Sequence, residues 1–187
     1  MKQNSGLYLF AGSLALLALS PFLFLPKIKT KKSKASDQDK IKFINKIYPS
    51  AKSIGNTIGV PPLFILAQLA LESAWGKSEL TSKYNNFGGI KAVGTQRSVI
   101  LPTQECKNGI CKKVYQPFAV YPTVTEGLKA QAKIYQNKYF RQHLRKTSDP
   151  LTYAKLLQSG RIKYATALNY LPAIQNTLQE LKRLKVA

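Results

Sequence analysis

The chain has 187 residues, 44% of them hydrophobic, enough for one domain with a real core plus an extra segment and too few for a second full domain. Lys and Arg number 29 against 8 Asp and Glu, a formal charge of +21, and the basic residues recur from Lys27 to Lys185 rather than in one block. Such a surface suits a polyanion (nucleic acid, anionic lipid or an acidic wall polymer) or serves only solubility, while a single histidine, His143, excludes a His-rich metal site.

Residues 7–25, "LYLFAGSLALLALSPFLFL", carry no charge and approach the roughly 20 residues that a spanning helix needs. They are read as an N-terminal transmembrane helix within an anchor of residues 1–26. A cleaved signal peptide is the alternative, disfavoured because no small-x-small site cleanly precedes "PKIKTKKSKASD". Lys27, Lys29, Lys31, Lys32 and Lys34 make residues 27–36 a basic linker suited to lipid headgroups. The positive-inside tendency would hold that flank in the cytoplasm, so the orientation stays open.

The folded domain is expected over 37–187. Ser36-Asp37 can cap a helix whose Ile41, Ile44 and Ile47 recur at helical spacing. Pro49-Ser50 is expected to start a new segment, with Ile54 and Ile58, that stops at Gly59. From Leu63 to Trp75 the chain is apolar on nearly every side, the pattern of a central buried helix. "GKSELTSKYNNFGGIKAVGT" then has the Gly and Asn content of a tight loop. Residues 97–121 place β-branched and aromatic residues on both sides of Asn108-Gly109, a hairpin signal. Helical periodicity returns over Thr125–Tyr139, after Asp149-Pro150, and over Asn169–Leu184. The fold class is therefore α+β, mainly α, with one small β lobe and the N-terminal transmembrane helix.

Cys106 and Cys111 bracket the hairpin tip. In an oxidising compartment they can close a short disulfide; reduced thiols are the alternative, and with no histidine nearby they make a poor zinc site. No metal and no cofactor are expected.

A carboxylate mechanism must draw on Asp37, Asp39, Glu72, Glu79, Glu105, Glu126, Asp149 or Glu180. Of these, Glu72 stands out because it lies inside the apolar helix, on the face of Gln68, Leu69 and Ile65. Burial disfavours its charged form, and a carboxyl that keeps its proton near neutral pH can act as a general acid. The competing reading is an ordinary helix-end glutamate satisfied by the backbone amides of the following loop.

"ILAQLALESAWGKS" followed by "YNNFGGIKA" resembles the glycoside hydrolase family 73 type of β-N-acetylglucosaminidase, as in flagellar assembly proteins and autolysins. Gln68, Leu71, Glu72, Ser73, Trp75, Gly76, Lys77 and Ser78 match its helix motif, and Asn85, Asn86, Gly89, Ile90 and Lys91 its loop; Phe87-Gly88 departs from the usual Leu-Phe order. "LPTQECKNG" is similar to the β-lobe segment that carries the second carboxylate, and "FAVYPTVTEG" to the entry of the next helix. "YATALNY" resembles the segment with two tyrosines, Tyr164 and Tyr170, although Ala167-Leu168 replaces the usual Asp-Pro.

The resemblance implies a lysozyme-like fold and hydrolysis of the β-1,4 bond after N-acetylglucosamine in peptidoglycan. Glu72 would be the general acid and Glu105 the second catalytic carboxylate. Tyr164, Trp75, Asn86, Tyr84, Phe87 and Tyr170 would contact the sugars. The expected partners are peptidoglycan strands and membrane lipid, and no nucleic acid, since no such motif accompanies the charge. A bacterial autolysin in the envelope and a viral lysis or entry enzyme in a viral membrane, with the domain facing the wall, are both compatible, and the small size, basic charge and N-terminal anchor favour the viral one. A muramidase or lytic transglycosylase of the same fold, or a non-catalytic basic membrane protein that binds anionic polymer, are the competing readings.

Overall fold

The computed structural model describes residues 35–107, 110–137, 141–159 and 170–186, with residues 104–107, 110 and 111 described by backbone alone. The expected membrane helix (1–26), nearly all of the basic linker, the hairpin tip Asn108-Gly109 and Tyr164 lie outside the described residues. Among the described residues no helix is long and apolar enough to cross a membrane.

Helix α1 (Asp37–Ile58) starts where the sequence predicts. The Ser36 hydroxyl accepts from the Asp39 amide at 3.2 Å, while the Asp39 carboxylate accepts from the Ser36 amide at 3.0 Å, a reciprocal cap that satisfies two otherwise orphaned donors. Pro49 does not divide this helix, contrary to expectation: α1 runs through it without a break. An interior proline costs about 3 kcal/mol. Here the ring and Asn45, whose carbonyl loses its donor, are both exposed to water. Ile44 and Ile47 before the proline and Ala51 and Gly55 after it are buried, so one continuous apolar stripe offsets the cost.

Gly59 closes α1 in the left-handed region, and Pro61-Pro62 turn the chain into α2 (Pro62–Glu72). Every residue of α2 from Phe64 to Ala70 is buried, and α1, α5 (Pro150–Gln158) and α6 (Tyr170–Arg183) surround it. Phe64 anchors this centre with edge-on contacts to Tyr153 and Tyr135 at 5.0 and 5.9 Å between ring centres. At the periphery, Arg183 of α6 grips Asp37 of α1 with two nitrogens at 2.9 and 2.7 Å, and Lys40 bonds to Glu180.

The stretch expected to be loop contains a short helix, α3 (Glu79–Tyr84), which Ser78 caps by accepting from the Thr81 amide. The β lobe is one antiparallel hairpin, β1 (Ser98–Lys107) and β2 (Ile110–Ala119), with Ser98 opposite Ala119 and Cys106 opposite Cys111. Helix α4 (Val124–Tyr135) follows within one residue of the expected start, with Thr123 as its cap and Glu126 in its first turn. A single 3-10 turn, Arg141–His143, precedes α5, which Asp149 caps.

Candidate active site

Glu72 is the last residue of α2, and the chain that follows reverses abruptly. Ala74, Trp75 and Gly76 occupy the left-handed region in succession, at φ of 51°, 58° and 80°. For Ala, and more so for Trp, this conformation is strained, and the surroundings must hold it. Buried Ser73 does so: its hydroxyl donates to the Leu69 carbonyl at 2.6 Å and accepts from the Gly76 amide at 2.8 Å. The helix therefore ends before Trp75 rather than at it, and Glu72 is left at the rim of the apolar centre.

The same turn bears on the reading of Glu72 as an ordinary helix-end glutamate. The amides after it are committed to other acceptors: Ser73 to the Leu69 carbonyl, Trp75 to Ala70, Lys77 to Ala74 and Ser78 to Ser73. Among the described residues the Glu72 carboxyl instead accepts one hydrogen bond, from the Gln68 amide nitrogen at 3.1 Å. Burial raises its pKa from the ordinary 4.5 to about 7, and the Gln68 bond pulls the other way without cancelling it. The residue keeps part of its surface accessible. It is thus largely packed yet partly accessible, an arrangement compatible with proton donation.

Beneath the carboxyl lies a group of buried phenols. Tyr170 of α6 is pushed well above its ordinary pKa by burial, then by Tyr135, the Glu72 carboxylate and Tyr153. Tyr170 is fully buried and belongs to the core. It therefore supports the floor under Glu72 and offers no face to a sugar.

The loop after α3 is seated by Asn86. Its amide nitrogen donates to the Ile90 and Ala119 carbonyls at 2.8 and 2.9 Å, and its oxygen accepts from the Ile90 amide at 2.9 Å. Both amide hydrogens are committed to backbone and the residue is buried, so Asn86 ties the loop to the base of the hairpin rather than presenting donors to substrate. Phe87 is likewise a core residue. At Gly88 a Cβ would lie 1.8 Å from the Gln131 side-chain oxygen, so a larger residue here requires that side chain to move. Gly127 of α4 lets the Asn85 carbonyl approach to a place a Cβ would occupy at 1.9 Å. Gln131 and Gly127 were not singled out from sequence as loop supports, because their role depends on a helix 40 residues downstream docking on the loop.

Trp75 packs edge-on against Phe43 at 5.9 Å, with the Lys40 ammonium 5.6 Å from its ring. It lines a cavity of about 250 Å³ together with Lys42, Lys46 and Lys77; Glu72 is not on that wall. Tyr84 is half-buried beside the loop. In the β lobe, Glu105 stands opposite Lys112 in the register, and Cys106 directly opposite Cys111; their side chains lie outside the described residues. Among the described residues no group of three His, Cys, Asp or Glu could hold a metal.

The fold is thus a helical body with one hairpin among the described residues, with Glu72 at the end of its central helix. A family model described as mannosyl-glycoprotein endo-beta-N-acetylglucosaminidase matches residues 48–183. The exo-glucosaminidase LytG of Bacillus subtilis is 31% identical over 163 residues, covering 86% of this chain and 55% of LytG. A probable N-acetylmuramidase of Lactococcus lactis is 33% identical over 135 residues, covering 68% of this chain and 30% of the relative. The chain thus spans about a third to a half of the length of these curated relatives.

Among solved structures, the catalytic domain of the autolysin Auto from Listeria monocytogenes superposes with a TM-score of 0.67 at 26% identity, over 83% of this chain and 92% of that one. The glycoside hydrolase domain of FlgJ from Salmonella typhimurium gives 0.63 at 28% identity, over 77% and 98%. With the family model matched over most of its length, and with Glu72 in place on the central helix, the chain belongs to the glucosaminidase family, glycoside hydrolase family 73.

Proposed function

We propose that this chain cuts the glycan strands of peptidoglycan at the β-1,4 bond after N-acetylglucosamine, with Glu72 as the general acid. The observation that carries the reading is the Glu72 carboxyl itself, raised to about 7 by burial and partly accessible at the end of α2. It can hold a proton at neutral pH and deliver it to the glycosidic oxygen as the bond breaks. Glu105, on the hairpin that follows the loop, is assigned as the second carboxylate, which activates water or stabilises the developing oxocarbenium ion. Tyr164 and Tyr84 are retained as sugar contacts, and a Cys106–Cys111 disulfide as the clamp of the hairpin tip. The apolar run 7–25 would hold the enzyme at a membrane, of a bacterial envelope or of a virion, with the basic surface facing the anionic wall.

Purified peptidoglycan is digested with the protein and, in parallel, with Glu72→Gln, and the products are reduced with borohydride. Glucosaminitol ends that vanish in the variant support the proposal. The Lactococcus relative bears the name N-acetylmuramidase, which favours a second reading, cleavage on the muramic acid side. Muramitol ends would establish that reading, and anhydro ends a transglycosylase.

A further inference from the structure

Gln68 stands one turn before Glu72 on α2, fully buried at 0% exposure, so no substrate reaches it. Its amide nitrogen donates to Oε1 of Glu72 at 3.1 Å. In a protonated carboxyl the carbonyl-like oxygen is the better acceptor, so an N–H bond to one oxygen favours the proton on the other. We infer that Gln68 is a positioning residue for the catalytic acid: it fixes the carboxyl rotamer and confines the transferable proton to Oε2, the oxygen not held by the core. The inference rests on the proposed role of Glu72 and concerns a residue that never touches the sugar.

Two features make the contact more than core packing. Gln68 is a polar side chain in a helix whose other residues from Phe64 to Ala70 are all apolar, and burying an amide costs free energy unless it is hydrogen-bonded. The bond it makes also favours the charged form of Glu72, opposing burial, so it tempers how tightly the acid holds its proton. Among the described residues, the Tyr170 phenol is in electrostatic contact with the Glu72 carboxyl. Burial holds the phenols of Tyr170 on α6 and Tyr153 on α5 above their ordinary values, and Tyr135 of α4 lies beside them. Lys40 of α1 is engaged by Asp37 and Glu180.

The test is Gln68→Met, which keeps the length and removes the donor, with kcat and KM followed on peptidoglycan from pH 5 to 9. The expected result is a kcat lowered roughly 10- to 100-fold, as misoriented catalytic groups typically give, an unchanged KM, and an alkaline limb moved up by about one pH unit. Gln68→Glu, which keeps the polarity and adds a second acid within reach, should raise the limb further; it also serves if the Met variant fails to fold. A fall in activity with the limb in place would show a structural role only. A downward shift would show that Gln68 accepts the acid's proton, and either result overturns the inference. Glu72→Gln, run alongside, separates the two levels: if it stays active, the assignment of Glu72 fails and the inference with it. If it is dead while Gln68→Met matches the parent, only the inference fails.

Discussion

Replacing Glu72 by Gln should abolish turnover and yet stabilise the fold, by an amount that depends on pH. In the folded protein the carboxyl holds its proton up to about 7, whereas in the unfolded chain it releases it near the ordinary 4.5. Between these values the native state binds the extra proton, so stability falls as pH rises through that window. The gap, at about 1.4 kcal/mol per pH unit, comes to roughly 3 kcal/mol, fully felt above pH 7 and absent below 4.5. Gln has nearly the same shape and never ionises. Urea unfolding followed by circular dichroism at pH 4, 6 and 8 should therefore show the variant equal to the parent at pH 4. At pH 8 it should be about 3 kcal/mol more stable, a melting-temperature difference of roughly 6–12 °C for a domain of this size. A stability difference that does not change with pH would refute the reasoning, because it would mean that the carboxyl is not desolvated in the fold.

Ser73→Ala removes both bonds that hold the reversed turn and leaves the Gly76 amide and Leu69 carbonyl one partner short; a loss of about 1–3 kcal/mol in the unfolding free energy from urea titration is expected, with kcat falling as Glu72 shifts. Gly127→Ala places a methyl 1.9 Å from the Asn85 carbonyl oxygen, with backbone rather than a flexible side chain in the way. The loop must lift off α4, and limited proteolysis between Asn85 and Lys91 should speed up while α1 and α2 stay protected. On the acid side, Glu180 is lowered to about 2 by Arg183 and Lys40, and Asp37 is lowered by Arg183, so their contribution is present above the ordinary carboxylate range and lost as pH falls through it. Together with Glu72, this predicts a stability maximum near pH 5 in a thermal scan, moved to higher pH by Glu72→Gln. Lys42 and Lys46 are exposed on the wall of the cavity beside Trp75; reversing both to Glu should weaken retention on peptidoglycan at low salt and have little effect at 0.5 M, where charge is screened beyond roughly 4 Å.

What the sequence determined was whatever is local or periodic. The Ser36 cap, the largely apolar α2, the Asp149-Pro150 helix start and the paired strands flanking Asn108-Gly109 each depend on neighbours within a few residues, so their side chains announce them. The unusual placement of Glu72 was legible for the same reason: a carboxylate inside an apolar run is visible in one dimension. Tertiary packing decided the rest. Pro49 remains helical because the residues before and after it bury one stripe against α2 and α4, and a breaker rule applied to the local sequence does not see those partners. Trp75 leaves the helix because Ser73 pins a left-handed turn whose strain is offset by the buried surroundings. Asn86, Phe87 and Tyr170 fit the motif as sugar contacts, yet in the fold they are buried supports of the loop and of the site floor. Whether a polar or aromatic side chain faces a ligand or the core depends on which distant helix covers it, and that is settled only when α4 and α6 close over α2 and its loop.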